Sequence, residues 1–292
     1  MINRLEHRVS DVELTMKIRD YLKKRLGFST SLIAKVKFGG VTLNGEVVHM
    51  RANVKNGDLI TVDMPSEESE NIKPIDLPLD ILYEDEYLLA INKPRNMPVH
   101  PSLGNSLPTL AEGVRAYLKT PFVFRAVNRL DRDTSGIVII AKNQLSAANL
   151  SRSLKAGLFT KKYVAIVRGT PSPSSGTIDA PIEREAEGVL KRIVRADGKP
   201  SITHYRVLAT NKFGNSLCEV MPKTGRTHQI RVHFKHMGHP LVNDFLYCDN
   251  VNGETYRLHC RYLKFPHPIS GKTLEIQCKS DFEDNFCHEL SI

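Results

Sequence analysis

The sequence predicts an α+β protein in two parts: a small α+β unit, then a larger one built on a mixed, mainly antiparallel sheet with flanking helices. Two observations predict it. Apolar residues at helical spacing are confined to a few short segments, whereas runs of β-branched and aromatic residues recur from Leu79 onward. A Pro-bounded acidic stretch, residues 65–78 (PSEESENIKPIDLP), has linker composition and separates a unit at 1–64 from one at 79–292. Strands dominate, helices are scattered, and no repeat of about 20 to 50 residues recurs, which excludes a solenoid.

In the first unit, Leu14, Ile18, Leu22 and Leu26 mark one helix, stopped by Gly27. Ser29 caps a second, Thr30 to Lys37, with Leu32, Ile33 and Val36 on its apolar side. Val41 to Val48 around Asn44-Gly45 reads as a hairpin, and a turn at Asn56-Gly57-Asp58 precedes the strand Leu59 to Val62. In the second unit, Ile81 to Tyr83 and Tyr87 to Asn92 are strands, the latter stopped by Lys93-Pro94. Thr109 to Leu118 and Asn143 to Leu158 are helices. Tyr163 to Val167, Val189 to Arg195, Ile202 to Thr210, Ser216 to Met221 and Leu274 to Lys279 are strands, and Pro171 to Gly176 is a loop.

A formal charge of +9 over 292 residues favours a polyanionic partner, nucleic acid before a membrane surface, because no basic amphipathic helix with bulky apolar residues is present. The N-terminus MINRLEHRVS has no apolar leader segment, so a cytoplasmic protein is expected. Five cysteines (Cys218, Cys248, Cys260, Cys278 and Cys287) form no CxxC pair, which speaks against a disulfide framework or structural zinc.

Three stretches carry candidate chemistry. Asn128 to Ile140 (NRLDRDTSGIVII) sets Asp131 and Asp133 among Arg129 and Arg132 on a loop entering a buried strand. On extended chain two carboxylates two residues apart face opposite ways, which disfavours a two-carboxylate glycosidase. One acts and the other holds the loop. Tyr163 opens an apolar strand; it is either an ordinary half-buried tyrosine or an aromatic hydroxyl that stacks on a base and relays a proton. In Thr224 to His233, Thr227 is read as the cap of a helix presenting Arg231 to an anion. His228, His233, His236 and His239 lack acidic or cysteine partners at metal-ligand spacing, so no metal is expected.

The first unit, RDYLKKRLGFSTSLIAKVKFGGVTLNGEVV followed by VKNGDLITV, resembles the S-four-like RNA-binding domain over residues 11–63. Lys35, Lys37, Arg51 and Lys55 could neutralise phosphates there. NRLDRDTSGIVIIAKN, KKYVAIVRG and KTGRTHQIRVHFKHMGHPLVND resemble, in order, three blocks of the RluA-type pseudouridine synthases, and LLAINKP and LHCRYLKFPHPISGK match too. The resemblance implies the pseudouridine synthase fold and cofactor-free isomerisation of uridine in structured RNA, with large-subunit ribosomal RNA expected before transfer RNA; nothing in the sequence suggests an obligate oligomer, so a monomer is expected. It implies that Asp131 is the catalytic aspartate, Tyr163 the active-site tyrosine and Arg231 the partner of that aspartate. It further implies that Arg129 enters the RNA stack when the target flips out, and that Leu258 is an apolar wall of the pocket. Where many members carry histidine, this chain has Asn128. No P-loop or GxGxxG is present, which suits a reaction without redox change or energy input. The rival readings are a non-catalytic RNA-binding or assembly factor and a nucleoside or glycoside hydrolase.

Overall fold

Alternation and turn chemistry build two main sheets, each with its own core, and two small two-stranded ones. The computed structural model describes residues 4–12, 15–65, 72–102, 106–120, 123–249 and 251–288. The N-terminal elements are β1 (Arg4–Arg8), β2 (Met16–Lys17), α1 (Ile18–Lys24), α2 (Thr30–Val36), β3 (Val41–Leu43), β4 (Glu46–Val47), β5 (Asn53–Val54) and β6 (Leu59–Asp63). A four-stranded sheet runs β1-β6-β3-β4, and Ile18, Leu22, Leu32, Val36, Ile60 and Val62 fill the core between it and the helix pair. The Ser29 hydroxyl accepts from Leu32 N–H at 3.0 Å, as a cap should. The hairpin turns on Asn44 and Gly45, both at positive φ.

Two expectations shift. The first helix begins at Ile18, because Met16 and Lys17 pair with Val54 and Asn53 as a strand; Leu14 lies outside the described residues. β1 was not foreseen. Its one-in, one-out pattern is short and its residues are mostly polar.

The second unit comprises β7 (Asp80–Glu84), β8 (Leu88–Lys93), α3 (Leu110–Leu118), β9 (Ser135–Ala141), α4 (Gln144–Lys155), β10 (Thr160–Arg168), β11 (Ser175–Asp179), β12 (Ile182–Arg184), β13 (Arg192–Val194), β14 (Ile202–Thr210), β15 (Asn215–Pro222), α5 (Gln229–His236), β16 (Leu258–Pro266), β17 (Thr273–Gln277) and α6 (Glu283–His288). Its sheet runs β11-β14-β15-β10-β16-β9-β8-β7, with β17 on β16, and every pairing but β16 with β9 is antiparallel. This is the mixed, mainly antiparallel α+β fold predicted. β9 is buried along its whole length, which explains its unbroken apolar run. Thr109 and Glu112 form a capping box on α3, and Asn143 caps α4.

The strand expected over 189–195 shrinks to Arg192–Val194, and the expected loop 171–176 gives way to β11 at Ser175. Of the linker stretch, residues 66–71 lie outside the description. Ile72 is buried in the main core, and Leu77 packs on Gly113 of α3. No helix among the described residues is long and apolar enough to cross a membrane.

The two units touch along α4. Asn149 donates to the Leu26 carbonyl at 3.1 Å, Arg152 donates to the Gly27 carbonyl at 2.9 Å, and Leu145 is buried in the N-terminal core.

Candidate active site

The turn that enters β9 is held from several sides. Thr134 N–H donates to the Asp131 carbonyl at 3.1 Å and closes it. Lys93, fully buried at the end of β8, donates to the carbonyls of Pro94 and Met97 at 2.8 Å and of Arg132 at 3.0 Å. Burial pushes the Lys93 ammonium down to about 7, against the pull of Asp133 and Asp131. The Thr134 hydroxyl meets that of buried Tyr256 at 3.2 Å, and the Ser135 hydroxyl meets His259 Nδ1 at 2.9 Å. Gly136 sits at φ +110°, where a Cβ would lie 2.3 Å from the Cys260 carbonyl oxygen, so only glycine lets β9 and β16 pair here.

Asn128 accepts from Ile139 N–H and donates to the Ile137 carbonyl, both at 2.9 Å. Its amide imitates a strand neighbour and ties the loop to the middle of β9.

Arg231 arrives from α5, and the helix start differs from expectation. His228, not Thr227, is the N-cap; it lies at φ 57° and makes no side-chain cap bond. Buried Gln229 takes over the work of ordering the loop. Its Oε1 accepts from the Thr224 hydroxyl at 2.8 Å and from Arg226 N–H at 3.0 Å, and its Nε2 donates to the Ile202 carbonyl at 3.0 Å.

From that anchored helix the Arg231 guanidinium, 2% exposed, donates through Nε and Nη2 to the two oxygens of Asp244 at 2.7 and 2.8 Å. Its Nη1 donates to Asp131 Oδ2 at 3.0 Å. The Tyr256 ring lies 4.4 Å from it and the Tyr247 ring 5.1 Å. Burial works against the charge of Arg231, but the Asp244 hydrogen bonds, with Tyr256 and Asp131, outweigh it and raise its proton affinity above the ordinary value. A guanidinium paired on one edge to a buried carboxylate thus offers its other edge to Asp131, whose side chain is 28% exposed.

The two carboxylates of the turn have different surroundings. Asp133 is buried and accepts from Arg132 Nη2 at 2.8 Å. Asp131 faces the buried guanidinium and remains open to solvent. His228 Nε2 stands 3.9 Å from Asp131 Oδ2; burial lowers its proton affinity despite the nearby carboxylate. Tyr163 is buried on β10 within electrostatic reach of Asp131. Burial first, and Cys260 beside it, hold its hydroxyl well above the ordinary range, so it stays protonated.

Leu258 is buried on β16, paired with Ala165. Arg129 is exposed beside the turn. Lys35 and Lys37 are exposed on and just after α2 in the N-terminal unit, Lys37 with its ammonium 4.5 Å from the Phe38 ring centre. Three of the four histidines have separate partners: His233 meets Thr203 and Ala180, His239 meets the Arg168 carbonyl, and His228 meets the Tyr247 hydroxyl. Among the described residues no three His, Cys, Asp or Glu side chains gather as metal ligands.

Sequence reasoning missed Asp244, Tyr256, Tyr247 and Lys93. A signal existed for Asp244, an acidic residue just after an apolar Pro-Leu-Val run. Nothing local marks Lys93, whose partners are backbone carbonyls.

This mixed-sheet α+β protein thus holds a partly exposed carboxylate against a buried, aromatic-walled guanidinium. The sequence pattern of the RNA pseudouridylate synthase family matches residues 87–236. The chain is 39% identical over 267 residues to the RNA pseudouridine synthase YjbO of Bacillus subtilis, covering 89% of this chain and 93% of the relative. It is 36% identical over 268 residues to ribosomal large subunit pseudouridine synthase D of Xanthomonas campestris, covering 85% and 80%. Among solved structures, human RNA Pseudouridylate Synthase Domain Containing 1 is similar with a TM-score of 0.62 at 29% identity, covering 72% of this chain and 86% of that one. The chain belongs to the RNA pseudouridylate synthase family and is an isomerase acting on RNA.

Proposed function

We propose that the protein converts specific uridines to pseudouridine in structured RNA of the large ribosomal subunit, with Asp131 as the reacting carboxylate. The observation that carries this reading is the contact from Arg231 Nη1 to Asp131 Oδ2 at 3.0 Å, made by a guanidinium already committed to Asp244. The ribosomal target is supported by the name of the Xanthomonas relative.

Substrate and product are isomers. The carbon–nitrogen glycosidic bond breaks, the base turns, a bond forms to carbon 5, and the proton of carbon 5 leaves while nitrogen 1 gains one. Neither an oxidant nor a nucleotide cofactor is required. Asp131 supplies the reacting oxygen, and Arg231 orients it through the 3.0 Å hydrogen bond from Nη1. Tyr163 serves as an aromatic wall that stacks on the base; its protonated hydroxyl suits a hydrogen-bond donor better than a base. Leu258 adds apolar wall.

A base inside a helix is out of reach, so the target uridine is flipped out, and exposed Arg129 fills the gap with a planar cation. Residues 1–64 act as an S-four-like RNA-binding domain that supplies affinity through cations such as Lys35 and Lys37. The enzyme is expected to act as a cytoplasmic monomer. Asp133 is committed to Arg132, which disfavours a two-carboxylate hydrolase.

The test is incubation with RNA labelled with tritium at uridine carbon 5, followed by digestion and chromatography. Tritium release matched by pseudouridine supports the reading, and free uracil would replace it with hydrolysis. Mapping pseudouridines in cells with and without the protein identifies the RNA; new sites confined to transfer RNA would overturn the ribosomal assignment.

A further inference from the structure

One cavity lies apart from the carboxylate turn. The hairpin β12–β13 and the loop ahead of α5 enclose an open space of about 280 Å³. Arg184, Arg192, Lys199 and Arg226 line it, against a single carboxylate, Glu183. Glu183 is already engaged, accepting from Arg184 N–H at 2.8 Å. Lys199 and Arg192 act on Glu183 through their charge alone, and among the described residues no hydrogen bond or close ion pair holds the head groups of Arg184, Arg192 or Lys199. Arg226 gives its Nε to the Pro200 carbonyl at 3.2 Å, which leaves its outer nitrogens available. Four cations line one hollow against one carboxylate, an excess of positive charge that an anion offsets.

A second observation points the same way. Gly225 is not in the left-handed region, and a Cβ there would meet only the Lys161 ammonium, at 3.8 Å. Neither backbone conformation nor internal packing demands glycine. Its bare backbone at the cavity wall permits close approach by something outside the chain.

The cavity and the carboxylate share one frame. Arg192 N–H donates to the Tyr247 hydroxyl at 2.9 Å; that hydroxyl meets His228 Nδ1 at 2.8 Å, and His228 Nε2 lies 3.9 Å from Asp131. Gln229 pins the loop that bears Gly225 and Arg226 to the helix that bears Arg231.

We propose that this cavity is a phosphodiester-binding subsite that grips the RNA strand flanking the uridine presented to Asp131. The proposal rests on the reading of the protein as an RNA pseudouridine synthase. Arginine forks match the paired oxygens of a phosphodiester, and the absence of any aromatic residue from the lining speaks against a base. The subsite contributes to substrate capture and register and takes no part in bond making.

The test compares Arg184→Gln/Lys199→Gln with a control pair of equal charge loss elsewhere on the surface, Lys155→Gln/Lys272→Gln. Binding of a labelled single-stranded RNA is followed against salt, and tritium release is followed on total RNA carrying uridine labelled at carbon 5. The cavity pair is expected to reduce the slope of log affinity against log salt by about 1.4, and to lower kcat/KM about tenfold through KM. The control pair is expected to behave as wild type. A cavity pair that matches the control pair in both readouts overturns the subsite. A wild-type enzyme that releases no tritium overturns the synthase reading instead, and the salt slopes still decide whether the cavity holds RNA.

Discussion

The turn around Asp131 and the N-terminal unit use polar residues in opposite ways. Around the turn, charge is buried: Lys93, Asp133, Arg231 and Asp244 are all at most 2% exposed, each with named partners. In the N-terminal unit, Asp58 is buried to tie a turn to Asn44 and Lys55, while Lys23, Lys24, Lys35 and Lys37 face water. Buried networks fix geometry at a desolvation cost and fail badly when one member is lost. Exposed cations add little to stability and much to salt-dependent attraction for a polyanion. Under the proposed function, the chain separates positioning at the turn from capture by the N-terminal unit.

Four experiments can break or sharpen that contrast. The largest effect is expected for Asp244→Ala, which strands the Arg231 guanidinium in the interior. Urea unfolding should show a loss of about 3–5 kcal/mol. Asp63→Asn, which breaks the exposed pair with Arg4, should cost less than about 1 kcal/mol. Equal costs would end the distinction.

Next comes Gly136→Ala, expected to cost at least about 1–3 kcal/mol in backbone strain, with the clash against Cys260 in addition. Gly45→Ala, at a similarly positive φ but with nothing within 4 Å, should cost clearly less in the same thermal melts.

A third effect depends on pH. Burial lowers the proton affinity of His233 and His259, and also of His228 beside Asp131. The unfolded chain then binds more protons as pH falls through the ordinary histidine range near ~6.5. Stability should be fully present above that value and decline below it. His233→Gln should shallow the decline; an unchanged slope would remove His233 from the account.

The smallest effect on the fold is expected from Lys35→Gln/Lys37→Gln. Stability should stay within about 0.5 kcal/mol of wild type. The salt slope of RNA binding should fall by about 1.4. A full slope would place RNA elsewhere.

Much of this was legible in the sequence because the signals are local. Ser29, Thr109 and Asn143 cap helices where their side chains imply, and Asn44-Gly45 turns the hairpin. Asp131 and Arg231, a hundred residues apart, were paired only by resemblance to a family, since no periodicity links them. Lys93 stayed hidden because burial of a charge is a tertiary event, while the signal at Asp244, an acidic residue after an apolar run, did not reveal its partner Arg231. The start of α5 was misplaced at Thr227 because a buried Gln229 side chain, not a hydroxyl at the cap, orders that loop. β1 was invisible because it borrows its stability from β6.

The central claim is that the two carboxylates of one turn differ in kind, one presented for chemistry and one holding the turn. Single-turnover tritium release at saturating RNA, measured side by side for Asp131→Asn and Asp133→Asn, tests it most directly. The account predicts release at background for Asp131→Asn in a protein that still folds and binds RNA, and measurable release for Asp133→Asn. Undiminished release by Asp131→Asn would contradict it.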